Sequence, residues 1–167
     1  MKIRDACGAD LPAIVDIYNA AIPARLATAD TEPLTVEGRR PWFEGHRPER
    51  HPLWVADVDG GVVGWLGFQA FYGRPAYAAT AEISVYVAAR ARRTGVGRVL
   101  LAEAVRRGPG LGLTTLLGFV FGHNAPSLAL FQSFGFEQWG RLPCVAVLDG
   151  VERDLVIVGR RIAEKAG

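Results

Sequence analysis

At 167 residues, half of them hydrophobic and 22% charged, the chain has the balance of one globular domain able to bury a sizeable core. A formal net charge of +2 with interspersed signs does not by itself indicate a nucleic-acid surface. Arg4, Asp5 and Asp10 interrupt the N-terminus and no apolar run reaches membrane-spanning length, so the sequence predicts a cytosolic protein with neither nucleic acid nor membrane as partner.

In chain order, residues 2–6 read as a first strand, and Asp10 with Pro12 offers an N-cap and first-turn proline for a helix running to about Ala21. Leu11, Ile14, Val15, Ile17 and Tyr18 recur at helical spacing and give that helix a buried face. A second helix is expected over 36–45. Strands over 53–58 and 62–71 flank Asp59-Gly60-Gly61, a hairpin turn, and the next strand runs from Thr80 to Val87. A helix over 97–107, a strand over 113–121 and a helix over 126–134 follow, the last stopped by Gly135. Two strands, 137–142 and 155–162, joined through Asp149-Gly150, complete a mixed α/β order with no linker or repeat.

The cysteines, Cys7 and Cys144, are too few and too far apart for a disulfide scaffold and read as reduced thiols. His46, His51 and His123 form no metal-ligand spacing, so no metal is expected.

The informative stretch is Ala81-Glu82-Ile83-Ser84-Val85-Tyr86-Val87, followed by the basic loop Arg92-Arg93-Thr94-Gly95-Val96-Gly97-Arg98. A strand that ends in a glycine loop and opens into a helix aims several backbone N–H groups at one anion, which points to a phosphate-bearing ligand. The phosphate-loop motif needs Lys-Ser or Lys-Thr after the last glycine, and the dinucleotide motif needs a third glycine. Arg98-Val99 and Leu100 stand there instead. For the two glycines alone, a plain turn before a helix is an equal reading. Alternation along the strand sends Glu82, Ser84 and Tyr86 to one face and Ile83, Val85 and Val87 to the other. Glu82 therefore cannot simply be counted as core, and an edge glutamate in a solvent salt bridge is one reading of it. Asn124, after a strand and before Ala-Pro-Ser, is placed to cap the next helix.

Together with Asn124-Ala-Pro-Ser127-Leu-Ala-Leu130-Phe131-Gln-Ser-Phe-Gly135-Phe136-Glu137, the stretch resembles the two core motifs of the GNAT N-acetyltransferase superfamily. Ile17-Tyr18-Asn19, Thr31-Glu32-Pro33-Leu34-Thr35, Arg74-Pro75-Ala76-Tyr77 and Glu82-x-Ser84-Val85-Tyr86-Val87 resemble its phosphinothricin and methionine-sulfoximine acetyltransferase branch. The resemblance implies the α/β (α+β) GNAT fold: a central mixed, mostly antiparallel sheet, splayed between its two middle strands and flanked by helices, with residues 1–167 as one N-acetyltransferase domain.

It further implies acetyl-CoA as co-substrate, its pantetheine lying like an extra strand along Val85, Tyr86 and Val87, and its pyrophosphate cradled by the amides of Arg93, Thr94, Gly95, Val96, Gly97 and Arg98. By the same resemblance Asn124 contacts the cofactor arm and Glu82 is the general base for a small primary amine. Arg74, Tyr77, Glu82 and Ser84 then face the acceptor, with Arg74 equally readable as an exposed loop residue, and a homodimer completes the pocket. The chain departs from the branch near Phe131, where Tyr or His serves the leaving thiolate, at Ile83 for a histidine, and near Ala78 or Ala79 for an arginine. A peptide or protein amine as acceptor, and a non-catalytic acyl-CoA sensor, are the alternatives.

Overall fold

The computed structural model describes residues 1–164. Its elements are β1 (Lys2–Asp5), α1 (Leu11–Asn19), α2 (Val36–Glu44), β2 (Leu53–Val58), β3 (Gly61–Ala70), β4 (Thr80–Val87), α3 (Val96–Arg107), β5 (Thr115–Phe121), α4 (Ala125–Ser133), β6 (Glu137–Leu148) and β7 (Val151–Arg161). They form a seven-stranded sheet in the order β1-β2-β3-β4-β5-β7-β6. Every neighbouring pair is antiparallel except β4 and β5, which run parallel.

Strand alternation distributes the helices over the two faces. On β3, Trp65 turns toward α1, where its indole N–H donates to the Ile14 carbonyl at 3.2 Å. The neighbouring Gly64 turns to the opposite face, where a Cβ would come within 2.8 Å of the Val96 side chain, so only glycine lets α3 lie this close to the sheet. Trp54, Trp65, Phe68, Leu66, Leu100 and Leu116 are each at most 1% exposed and fill the space on either side. A fully buried side chain of this size contributes on the order of 2 kcal/mol by leaving water. The turns Asp59-Gly60 and Asp149-Gly150 both hold two successive positive φ angles, 51° and 83° in the first and 51° and 77° in the second, the geometry that matches hairpin twist.

Two expectations are corrected. The last hairpin is longer than 137–142 and 155–162, because Pro143 does not end the strand. β6 is the sheet's edge and pairs only with β7, so a missing N–H is tolerated there. The register slips between Leu142 and Ala146, with Cys144 at φ 54°, and Asp154 holds the bulge by accepting from the Cys144 N–H at 2.9 Å and pairing with Arg141 at 2.6 Å. At the other end, Asp10 precedes α1 without capping it. Its carboxylate accepts instead from the Cys7 N–H at 2.8 Å and from Arg4 at 2.7 Å, and the Arg4 guanidinium pulls its pKa down to about 2.

Candidate active site

The site begins where two strands part. β4 and β5 are paired at Thr80 with Thr115, Ala81 with Leu116 and Glu82 with Leu117. Beyond Glu82 they diverge, while β4 stays paired with β3 as far as Val87 and Gly64, and β5 with β7 as far as Phe121 and Leu155. The β5-facing edge of β4 is therefore bare from residue 83 onward. A cleft of about 490 Å³ opens there, walled by Glu82 to Tyr86 on one side and by Phe119 to Phe121 on the other, with Asn124 just before α4, Ser127 and Phe131 on α4 and the 26–29 segment closing around it.

Glu82 stands at the fork. Its Cα partners are Gln69 on β3 and Leu117 on β5, and its half-buried side chain lines the cleft. Among the described residues no cation or hydrogen-bond donor reaches its carboxylate, so the salt-bridge alternative is not the arrangement found. Burial alone raises its pKa above the ordinary carboxylate value, which brings the group closer to an ammonium as a proton acceptor. Ser84 and Tyr86 follow on the same face. Tyr86 donates its hydroxyl to the Ala27 carbonyl at 2.9 Å and stacks on Trp65 at 4.6 Å between centroids. Burial drives its phenol pKa far up, so Tyr86 is a neutral wall.

Past the end of β4 the chain makes a short turn over Ala89–Ala91 and enters the glycine loop. Gly95 sits at φ +89° immediately before α3, in the left-handed region where a side chain is strained. The Val99 N–H is bonded to the Gly95 carbonyl at 3.0 Å, so the amides of Val96, Gly97 and Arg98 lie in the first turn, where a helix offers no acceptor and carries its partial positive charge. Arg93 and Thr94 are exposed, Thr94 donating to the Ala91 carbonyl at 2.7 Å. The Arg98 side chain reaches Ser133 at 3.1 Å.

The cap alternative for Asn124 is realised: its side chain accepts from the Ser127 N–H at 3.2 Å and donates to the Leu26 carbonyl at 3.0 Å. It lines the cleft while doing so. Val85 lines the same cleft and Val87 lies beyond its enclosed part. Arg74 and Tyr77 are exposed on the turn between β3 and β4 and line neither cavity, Tyr77 packing on Phe71 and Tyr72. Phe131 is buried against Phe136 and presents only carbon to the cleft. Among the described residues no three His, Cys, Asp or Glu side chains gather as a metal site, and Cys7 and Cys144 are free and exposed.

Sequence reasoning missed a neighbouring cavity. A second cavity of about 110 Å³ adjoins the cleft through the shared residues Ser84 and Tyr86 and is walled by Tyr18, Arg39, Trp42, Trp65 and Gln69. Tyr18 donates its hydroxyl to Asp30 and meets Thr28, tying the 28–30 segment to α1. The signal available was the pair Arg39 and Trp42, three apart on α2, and the alternating Trp65, Gly67 and Gln69 on β3.

Residues 12–136 match the family model described as Acetyltransferase (GNAT) family. The chain is 51% identical over 164 residues to YwnH of Bacillus subtilis (strain 168), covering 98% of this chain and all of that one. It is 33% identical to the L-methionine sulfoximine/L-methionine sulfone acetyltransferase of Pseudomonas aeruginosa (strain PAO1), over 94% of this chain and 92% of that protein. The crystal structure of a GNAT superfamily phosphinothricin acetyltransferase from Sinorhizobium meliloti in complex with AcCoA superposes with a TM-score of 0.90 at 31% identity, over 96% of this chain and 87% of that one.

Proposed function

The chain belongs to the acetyltransferase (GNAT) family and is an acetyl-CoA-dependent N-acetyltransferase, and from that premise we propose that its acceptor is the primary amine of a small amino-acid analogue of the methionine sulfoximine or phosphinothricin kind. The observation that carries the mechanism is Glu82: a half-buried carboxylate without a partner among the described residues, at the fork where the sheet opens.

The bare edge of β4 offers unpaired backbone groups to the pantetheine, and the first-turn amides of α3, released by Gly95, suit the pyrophosphate. Glu82 takes a proton from the acceptor ammonium, directly or through a water, and the freed nitrogen lone pair attacks the thioester carbonyl carbon. An amide of residues 85–87 donates to the carbonyl oxygen as negative charge collects on it, worth roughly 3 kcal/mol for a well-aimed donor. The C–S bond then breaks, leaving an N-acetyl amide and the CoA thiolate. Phe131 supplies no proton to it, and a thiol with an ordinary pKa near ~8.5 leaves readily as the anion and takes its proton from water. The bonds Asn124 makes to Ser127 and Leu26 fix the mouth of α4 beside the cofactor arm.

The same reading makes the protein a cytosolic homodimer. Val145, Val147 and Val151 on the β6–β7 hairpin are 56%, 61% and 47% exposed, a surface that a second copy would cover. Arg74 and Tyr77 enter the acceptor pocket through that assembly.

Thiol release from acetyl-CoA, measured with L-methionine sulfoximine, L-methionine sulfone, phosphinothricin, peptides with free N-termini and polyamines, tests the assignment. Turnover on the amino acids supports it. Turnover confined to peptides replaces it with a peptide acetyltransferase, and acetyl-CoA binding without release on any amine replaces it with a sensor.

A further inference from the structure

Arg39 is a half-buried cation held between aromatic rings. It sits on α2, half-buried, with its guanidinium carbon 3.8 Å from the centroid of the Trp42 ring and 5.2 Å from that of Tyr18. Among the described residues its side chain makes no hydrogen bond and no ion pair. By contrast Arg4 is shared by Asp10 and Asp57, and Arg25 pairs with Asp149. The nearby Asp30 carboxylate is engaged by the Tyr18 hydroxyl. Guanidinium is planar, permanently charged and carries five donors, so aromatic rings can hold its flat face while its edge remains free for a planar anion.

The edge has somewhere to point. Arg39 walls the 110 Å³ cavity whose floor is Gln69, Ser84, Tyr86 and Trp65, all on the α1 face of the sheet. Ligand sites for whole small molecules occupy roughly 300–1,000 Å³, so this cavity takes one functional group of a ligand whose remainder lies in the adjoining cleft. Ser84 is two residues from Glu82 on the same strand face, about 7 Å along the strand. The cavity floor thus begins at the next residue on the face of Glu82, an adjacency that suits an acceptor whose amine and anionic group are carried by the same carbon, one directed at Glu82 and the other into the Arg39 cavity.

We propose that the Arg39 cavity is the carboxylate subsite of the acceptor, Arg39 pairing with the α-carboxylate while Glu82 addresses the α-amine. The inference rests on the small-amino-acid reading of the function. It makes Arg39 the residue that selects amino acids over simple amines, at a position that lies within a single subunit.

The test compares L-methionine sulfone with its decarboxylated counterpart, 3-(methylsulfonyl)propylamine, in wild type, Arg39→Met and Arg39→Lys. Methionine preserves length and the packing on Trp42 and removes the charge. The expected result is a KM for the amino acid raised roughly 10- to 100-fold in Arg39→Met, the cost of losing a charged hydrogen-bond partner, with KM for the decarboxylated amine and the acetyl-CoA Kd within twofold of wild type. Arg39→Lys, which keeps the charge and loses the bidentate geometry, should fall between them. Equal effects on the two acceptors, in either variant, overturn the subsite while leaving the acetyltransferase reading in place. Wild-type turnover of neither acceptor overturns the amino-acid reading and the subsite with it.

Discussion

The glycine loop after β4 and the face of β4 that carries Glu82 belong to one stretch of chain, yet they act through different atoms. On the proposed function the loop would work by backbone: Gly95 bends through φ +89° so that the first-turn amides of α3 are presented together, and the side chains of Arg93, Thr94 and Arg98 point to solvent or to neighbouring elements. The proposed acceptor side would work by side chains: Glu82 and Tyr86 from β4, Arg39 and Trp42 from α2, and Tyr18 from α1 line the two adjoining cavities from well-separated segments. A backbone site constrains glycine positions and leaves side-chain identity loose, so one loop serves many acceptors. An acceptor site is re-specified by exchanging side chains without touching the cofactor.

The largest expected effect lies on the acceptor side. Glu82→Gln should lower kcat by roughly 10²- to 10⁴-fold while the acetyl-CoA Kd stays within twofold, measured by thiol release and calorimetry. The sign of the pH dependence follows from burial. Because burial raises the Glu82 pKa, the carboxylate becomes protonated and inactive at a higher pH than an ordinary glutamate would. The acidic limb of kcat/KM against pH should accordingly lie above the usual carboxylate range in wild type and be absent from the Gln variant. Unchanged turnover in that variant would remove the base role altogether.

A smaller effect separates backbone from side chain within the loop. Gly95→Ala places a Cβ in the left-handed region at a cost of about 1–2 kcal/mol, which should appear as a roughly 5- to 30-fold weaker acetyl-CoA Kd or as lost thermal stability, with acceptor KM unaltered. Arg98→Ala in the same loop should change that Kd by less than about threefold, since its side chain is directed at Ser133. If Arg98→Ala proved the more damaging, the backbone account of the loop would be wrong. The smallest effect falls on stability: Asn124→Ala removes an α4 cap and the tie to Leu26, worth about 1 kcal/mol in chemical denaturation, with kcat close to wild type.

The same division explains what the sequence made legible. β4 was readable to the residue, and Glu82 with its face came from simple alternation. The glycine loop was readable because positive φ and close approach restrict residue choice, and Gly95 does carry that φ. The Arg39 cavity was legible only in fragments, the Arg39–Trp42 spacing and the alternation of β3, because its walls come from α1, α2, β3 and β4 and nothing local marks that Arg39 will lack an acceptor once folded. The β6 strand was cut short at Pro143 because local propensity cannot tell an edge strand, which tolerates proline, from a central one. Asp10 looked like a cap, and a long-range partner, Arg4, changed its task.

The parting of β4 and β5 also has a consequence for the protein between turnovers. It leaves two unpaired strand edges in the middle of a seven-stranded sheet, where most folds bury their most continuous hydrogen bonding. An incomplete sheet of this sort invites any extended segment, including a strand from another copy, to fill it. A ligand that lies along the edge therefore acts as a missing structural element as well as a reactant, adding RT ln(1 + [L]/Kd) to the stability of the folded state. Acetyl-CoA supply would set, by mass action, both how fast this enzyme works and how well its folded form resists aggregation.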